Sequence, residues 1–109
     1  MKDIIQEINQ IEANELYNMF KSNKINVIDI RELFEHKIKS LDGTFNIPMR
    51  YLVKEHKEHL DNDKIYYLLC RSGARSTHLT HYLSSLGYNV VNIKGGFVKM
   101  TDMKKDKTK

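Results

Sequence analysis

The sequence predicts an α/β fold in which a mainly parallel, five-stranded sheet is flanked by helices on both faces. Short apolar or β-branched runs alternate with stretches whose apolar residues recur at helical spacing. Strands that alternate with helices favour a parallel sheet covered on both sides. A chain of 109 residues, 40% hydrophobic and 29% charged, suits one globular domain spanning residues 1–109.

The first half of the chain contains three expected strands and two expected helices. The clearest strand is β-branched and carries polar Asp29 close to its carboxyl end. The single proline, Pro48, stops the strand before it. The expected elements are, in order, a strand near Ile8 and Ile11, a helix over 13–21, a strand over 26–30, a helix over 32–38 and a strand over 44–47.

The second half continues the alternation and ends in a short helix. Its central strand is apolar and aromatic-rich, and Gly87 is a plausible C-cap for the helix that follows. Asp29 and Cys70 both fall at or just past the carboxyl ends of expected strands, so they should face the same edge of the sheet. The expected elements are a helix over 49–60, a strand over 65–69, a helix over 76–86, a strand over 89–93 and a helix over 95–100.

The only cysteine, Cys70, lies where the strand over 65–69 passes into the next helix. Gly73 permits a backbone with positive φ, and Ser76 is a natural helix N-cap. Successive N–H groups, the positive end of the helix and two arginines all stabilise an anion. We therefore expect an exposed, reactive thiolate that acts on a small anionic substrate. The residues expected to bind this substrate are Arg71, Ser72, Gly73, Ala74, Arg75 and Ser76.

Three segments of the chain resemble signatures of the rhodanese-domain sulfurtransferases. Cys-Arg-Ser-Gly-Ala-Arg-Ser at 70–76 looks like the active-site loop of that family. The run Val-Ile-Asp-Ile-Arg-Glu at 27–32, followed by Glu35 and by Gly-Thr-Phe-Asn-Ile-Pro at 43–48, is similar to its first signature. Gly-Tyr at 87–88, followed by Lys-Gly-Gly-Phe at 94–97, is similar to its closing signature.

The resemblance covers a core of about residues 7–100, with the segments in the family's order and spacing. The chain departs from the family at 39–43, where Lys-Ser-Leu-Asp-Gly replaces a frequent Gly-His-Ile-Pro-Gly. A tryptophan that is frequent near the position of Met100 is also missing. Neither departure touches the cysteine loop.

The resemblance implies a sulfurtransferase that forms a persulfide on Cys70. The thiolate would take sulfane sulfur from thiosulfate or a similar donor and pass it to cyanide, a thiol or a protein. Arg71 is expected to orient the oxyanion end of the donor. Arg75 is expected to point inward and brace the loop against Asp29 or Glu35. No metal and no organic cofactor is expected.

The supporting residues at the edge of the sheet are expected to act through ion pairs and hydrogen bonds. These residues are Asp29, Arg31 and Glu35. The two histidine pairs at i, i+3 spacing lack the third and fourth ligands that a zinc site normally recruits, so they are interpreted as surface residues. The pairs are His56 with His59 and His78 with His81.

Three alternatives use the same loop. One is a persulfide carrier that receives sulfur from one protein and delivers it to another without small-molecule turnover. A second is an inactive binding module, which the intact cysteine disfavours. A third is a phosphatase or arsenate reductase, whose loops resemble this one but have one more residue between cysteine and arginine than the six-residue loop from Cys70 to Arg75.

Composition limits the other classes of function. Much of the positive excess behind the net charge of +4 lies in the four lysines of residues 101–109, which we expect to form a flexible basic tail. No aromatic and basic pattern typical of nucleic-acid binding is present, and no apolar run is long enough to span a bilayer. One cysteine cannot form an internal disulfide and no signal peptide is recognisable, so we expect a cytoplasmic protein.

Overall fold

The computed structural model describes residues 8–22 and 24–100. The expected basic tail at 101–109 therefore lies outside the described residues. The strands are β1 (Gln10–Glu12), β2 (Asn26–Asp29), β3 (Phe45–Asn46), β4 (Ile65–Leu69) and β5 (Asn89–Lys94). The helices are α1 (Ala13–Ser22), α2 (Leu33–Ile38), α3 (Met49–Lys54), α4 (His56–His59) and α5 (Ala74–Ser85). A further helix, α6, begins at residue 96 and is described to residue 100.

The five strands form one parallel sheet in the order β1-β5-β4-β2-β3. β4 is the central strand, with Leu68 opposite Ile28 on β2 and opposite Asn92 on β5. The pairing of β2 with β4 continues past the strand end, because the N–H of Ile30 donates to the carbonyl of Leu69 at 2.8 Å. The predicted parallel sheet is confirmed.

Each face of the sheet is covered by helices that bury a separate apolar cluster. On one face, α1 and α6 contribute Leu16 and Phe97. On the other face, α3 contributes Leu52 and α5 contributes Leu79 and Leu83. Because side chains alternate along a strand, neighbouring residues of the central strands feed opposite clusters. The prediction of helices on both faces is confirmed.

Two helix predictions differ from the structure. The helix expected over 49–60 is two helices, α3 and α4, separated at Glu55, where φ is −127° and ψ is 37°. The helix expected to start after a Ser76 cap begins at Ala74 instead, and Gly73 occupies the N-cap position. Ser76 lies inside this helix and is fully buried, so its side chain is available for tertiary contacts.

Candidate active site

Cys70 directly follows the central strand β4. Its backbone carbonyl is held by a hydrogen bond from the backbone of α6. The N–H of Phe97 donates to the carbonyl of Cys70 at 2.7 Å, and the N–H of Val98 donates to the carbonyl of Arg71 at 3.0 Å. These N–H groups belong to the first turn of α6, which has no partners for them within the helix. These two backbone hydrogen bonds therefore join the start of α6 to the residues that follow β4.

Gly96 makes this junction possible because it brings two backbone segments into contact. A Cβ at this position would lie 2.5 Å from the carbonyl oxygen of Cys70 and 2.8 Å from that of Arg71. Its φ of +63° also lies in the left-handed region that favours glycine. The backbone of Gly96 therefore packs directly against the carbonyl groups of the cysteine loop.

The sulfur of Cys70 receives backbone hydrogen bonds from the loop that it begins. The N–H of Gly73 donates to Sγ at 3.0 Å, and the N–H of Ser76 donates at 3.4 Å. The turn is closed by Gly73, which has the expected positive φ, +102°. Since Ser76 is in the first turn of the twelve-residue helix α5, the positive end of that helix also faces the sulfur.

The sulfur lies deeper than the sequence suggested. Cys70 is only 1% exposed and belongs to the apolar cluster beneath α5, whereas we expected an exposed thiol. The reason is its position at the end of the central strand, where neighbouring strands lie on both sides and the loop closes over the sulfur. Arg71, Ser72 and Ala74 on the outside of the loop are exposed.

A buried polar chain extends from the cysteine into the sheet, and sequence reasoning missed it. The Ser76 hydroxyl lies 3.4 Å from Cys70 Sγ and donates to Oδ1 of Asn92 on β5. The Asn92 amide nitrogen in turn donates to Thr77 Oγ1 at 3.1 Å. Asn92 is 2% exposed. A polar residue inside the apolar run 89–93 was the available signal.

Asp29 and Arg31 form a buried ion pair beside the loop. The Arg31 guanidinium donates from Nε and Nη2 to the two Asp29 oxygens at 2.9 and 2.8 Å, and Nη2 also donates to the carbonyl of Lys39 at 2.7 Å. The same guanidinium lies 4.1 Å from the ring centre of Phe97. The pair thus connects the end of β2 to α6.

His36 is a second partner of Asp29, and sequence reasoning did not identify it. Its Nδ1 lies 2.9 Å from Asp29 Oδ2. Burial by itself would raise the pKa of Asp29, but hydrogen bonds from the Arg31 and His36 side chains and from the Arg31 backbone outweigh it. The pKa of Asp29 is therefore lowered from its ordinary value.

Arg75 contacts Glu35, one of its two expected partners, but its side chain is 40% exposed and does not point inward as expected. The two guanidinium-to-carboxylate distances are both 3.4 Å. Burial raises the pKa of Glu35, but the backbone N–H of Glu32 and the Arg75 guanidinium lower it by more, so the net shift is downward. The contact joins α2 to α5 at the surface.

A cavity of about 440 Å³ opens beside the outer side of the loop. α2 and the segment after it form one wall, and α6 forms the other. Arg71 lines the cavity, whereas Cys70 does not. Its lining also includes the apolar side chains of Phe34, Ile38 and Phe97 and the cationic side chain of Lys39.

The paired histidines do not line this cavity, and one of them, His56, is half-buried and not at the surface as expected. His56 contacts the hydroxyl of Tyr88 at 2.8 Å, and His59 lies 3.5 Å from Glu55, while His78 and His81 are exposed. Within residues 8–22 and 24–100, no group of three or more His, Cys, Asp and Glu residues is arranged to hold a metal ion. None of the helices in these same ranges has the length and hydrophobicity needed to cross a bilayer.

Comparisons with known proteins agree with the resemblance. The model of the Rhodanese-like domain family matches residues 12–103. A Bacillus subtilis (strain 168) protein, provisionally named a sulfurtransferase, is 33% identical over 93 residues, which are 84% of this chain and 89% of that protein. The crystal structure of a rhodanese-related protein from Thermoplasma volcanium is 35% identical, with a TM-score of 0.78 over 87% of this chain and 92% of that one.

A further relative is much longer than this chain. The protein of Porphyra purpurea named "Probable molybdopterin-synthase adenylyltransferase" is 32% identical over 101 residues. The match covers 91% of this chain and 26% of that protein. The chain therefore spans about a quarter of this relative and nearly all of the Bacillus subtilis one.

Proposed function

This chain belongs to the rhodanese-like domain family, and from that premise we propose that it is a sulfurtransferase that acts through a persulfide on Cys70. The observation that carries the proposal is the pair of backbone N–H groups, from Gly73 and Ser76, that point at Cys70 Sγ. Donors fixed in this way stabilise a negative charge on sulfur without reorganising during the reaction. The same donors serve the thiolate before transfer and the persulfide anion after it.

In the first half-reaction, the Cys70 thiolate attacks the outer sulfur of thiosulfate. A bond forms between Sγ and that sulfur, the bond between the two thiosulfate sulfurs breaks, and sulfite leaves with the electron pair. In the second half-reaction, an acceptor such as cyanide or a thiolate attacks the outer sulfur of the persulfide. The electron pair of the broken S–S bond returns to Sγ, which restores the thiolate.

Arg71 is the residue that we assign to the oxyanion end of the donor. Its side chain is at the outside of the loop and lines the cavity. In the part of the chain that the structure describes, its guanidinium has no carboxylate partner. A planar, permanently charged group of this kind suits a sulfonate-like anion.

Steady-state kinetics test the proposal. We expect turnover of thiosulfate with cyanide to give parallel double-reciprocal lines, because sulfite leaves before the acceptor reacts. Cys70→Ser should abolish turnover, and Arg71→Gln should raise the KM for thiosulfate. Intersecting lines, or turnover retained by Cys70→Ser, would contradict a covalent intermediate on this residue.

A second candidate is a persulfide carrier between proteins. A Bacillus subtilis (strain 168) relative that is provisionally named a sulfur carrier protein supports it, with 32% identity over 73 residues, which are 66% of this chain and 39% of that protein. The deep position of the sulfur also suits a protein donor that opens the loop on docking. Rapid sulfur loading from a cysteine desulfurase, with negligible thiosulfate turnover, would favour this function over the first.

We propose one rhodanese-like domain, which the family match over residues 12–103 supports. We propose a cytoplasmic setting, since a free nucleophilic thiol suits a reducing compartment.

A further inference from the structure

Among the described residues, the sulfur of Cys70 has hydrogen-bond contacts with three polar groups. Two of them are the backbone N–H groups of Gly73 and Ser76, at 3.0 and 3.4 Å. The third is the side-chain hydroxyl of Ser76, also at 3.4 Å. A backbone N–H can only donate a hydrogen bond, whereas a hydroxyl can donate or accept one. The direction of the Ser76 hydroxyl therefore decides whether this third contact stabilises a negative charge on the sulfur.

Thr77 fixes the orientation of the Asn92 side chain on β5. The Thr77 hydroxyl donates to the carbonyl of Gly73 at 2.7 Å, so its oxygen is left to accept a hydrogen bond from Asn92 at 3.1 Å. Only the nitrogen of an amide group can donate, so Nδ2 of Asn92 faces Thr77 and Oδ1 faces Ser76. The amide nitrogen also lies 3.4 Å from Oε1 of Gln10, an acceptor that fits the same orientation.

The Ser76 hydroxyl is consequently an acceptor towards the sulfur. Its proton is donated to Oδ1 of Asn92, and the carbonyl of Gly73, at 3.2 Å, is a second acceptor for it. The oxygen lone pairs of the hydroxyl then face Cys70 Sγ. Ser76 and Asn92 are 0% and 2% exposed, so these contacts lie in the interior, where electrostatic interactions are stronger than in water. This arrangement opposes a full negative charge on Sγ.

The thiolate and the persulfide of Cys70 place their charge on different atoms. In the thiolate, the charge is on Sγ itself, which the Ser76 oxygen contacts. In the persulfide, Sγ is bonded to the outer sulfur, and this outer atom carries the charge. The hydroxyl oxygen at Sγ therefore penalises the thiolate more than the persulfide.

We propose that Asn92 is a positioning residue that favours the persulfide over the thiolate of Cys70, because it holds the proton of the Ser76 hydroxyl away from the sulfur. The inference rests on the function proposed above and concerns the balance of its first half-reaction. In that step the Cys70 thiolate and thiosulfate give the persulfide anion and sulfite, so no proton, oxidant or reductant is consumed. A protein with this bias retains sulfur once it is loaded.

The loading equilibrium tests the proposal. The protein is incubated with mixtures of thiosulfate and sulfite, at a pH where the ultraviolet absorbance of the thiolate shows that the unloaded cysteine is ionised. Intact-protein mass spectrometry measures the loaded fraction. We expect Asn92→Leu to lower the equilibrium constant for loading about fivefold, because the released hydroxyl can donate to the thiolate. An unchanged or raised constant would overturn the proposal.

Ser76→Ala provides a second test that does not require Asn92→Leu to fold. It removes the lone pairs that oppose the thiolate, so we expect it to lower the loading constant about twofold. No change or a rise would overturn the proposal, because the wild-type hydroxyl would then be neutral or favourable towards the thiolate.

The double variant separates the effect on the hydroxyl from a merely structural role of Asn92. In a Ser76→Ala background, Asn92→Leu should have no further effect on the loading constant, because no hydroxyl is left to redirect. An effect that persists in this background would overturn the proposal. Asn89→Leu is the matched control, because Asn89 lies at the exposed start of β5 and donates to the carbonyl of Asn62. It should leave the loading constant unchanged.

The outcomes separate this inference from the function on which it rests. Loading of the wild-type protein with the same constant as Asn92→Leu would overturn the inference and leave the sulfurtransferase proposal standing. A wild-type protein that gains no sulfur at any ratio of thiosulfate to sulfite would overturn the thiosulfate reaction, and the inference with it.

Discussion

The inner and outer sides of the cysteine loop are fixed to different extents. On the inner side, the carbonyls of Cys70 and Arg71 accept hydrogen bonds from α6, and Gly96 leaves no space for even a methyl group. On the outer side, Ser72 is exposed, and Arg75 meets Glu35 at 3.4 Å with the two side chains 40% and 21% exposed. Both sides are formed by the same seven loop residues, 70–76.

This difference separates two requirements of sulfur transfer. The donors that stabilise the sulfur must stay in place, and they lie on the inner side, where packing is tight. Donor and acceptor must each reach the same sulfur, which the closed loop buries, so the less firmly held outer side is the part of the loop that would have to open. Substitutions on the two sides should therefore differ in what they damage.

The largest expected effect is that of Gly96→Ala on the inner side. The added Cβ would meet the carbonyl oxygens of Cys70 and Arg71, and the residue would also have to adopt a φ of +63°. We expect a loss of unfolding free energy of about 3–5 kcal/mol, from overpacking and left-handed strain together. Urea denaturation measures it.

Gly87→Ala provides the control for Gly96→Ala. Gly87 has a φ of +97°, but a Cβ there would meet nothing within 4 Å. Its substitution should therefore cost only the backbone strain, about 1–2 kcal/mol. Equal losses for the two variants would show that the contact between α6 and the loop is not tight.

Asp29→Asn should have the next largest effect. It leaves the buried guanidinium of Arg31 without a charged partner, so we expect a loss of about 3 kcal/mol. The exposed Asp63→Asn is the matched control and should lie within about 0.5 kcal/mol of the unmodified protein. A loss below about 1 kcal/mol for Asp29→Asn would mean that the buried pair does not hold the inner side.

The pH dependence of stability gives a second measure of this pair. The pKa of Asp29 is lower in the folded protein than the ordinary value of 3.8, so the unfolded chain binds the proton more tightly. The stabilisation is complete above about pH 4 to 5 and is lost as the pH falls through the folded pKa. Asp29→Asn should flatten the acid limb of a stability-against-pH curve, and an unchanged limb would contradict this role.

Asn92→Leu should have an intermediate effect and also report on the sulfur. The Ser76 hydroxyl loses the Asn92 acceptor and keeps the Gly73 carbonyl at 3.2 Å, so we expect a loss of about 1 kcal/mol. The hydroxyl is then shared between that carbonyl and Cys70 Sγ, and alkylation of the thiol by iodoacetamide near neutral pH should become faster. Asn89→Leu, at the exposed start of the same strand, should leave the alkylation rate unchanged.

Arg75→Ala on the outer side should have the smallest effect on stability. Its pair with Glu35 is long and half-exposed, which typically contributes less than about 1 kcal/mol. We expect the thermal midpoint to change by a few degrees at most, as measured by circular dichroism. A loss as large as that of Asp29→Asn would remove the distinction between the two sides.

Much of the fold could be predicted because the strands carry a clear local pattern. The β-branched run 26–30 and the apolar run 65–69 appear as neighbouring strands. Their parallel pairing places Asp29 and Cys70 together at the carboxyl ends of these strands. The break at Glu55 could not be predicted, because the polar helix pattern over 49–60 continues through it.

The site was harder to predict where a residue could fill two local roles. Ser76 has the chemistry of an N-cap, but the positive φ of Gly73 lets the helix begin two residues earlier and turns the serine towards Asn92. His36 carried no signal, since its contact with Asp29 depends on how α2 packs. The depth of Cys70 follows from the strand order, which local sequence does not specify.

The central claim is that Cys70 carries the transferred sulfur, and intact-protein mass spectrometry tests it most directly. After thiosulfate treatment and removal of excess reagent, the protein should gain the mass of one sulfur atom, and reducing agent should remove it. Cys70→Ser treated in the same way should gain nothing. An unmodified wild-type protein, or a gain of sulfur by the serine variant, would contradict the account.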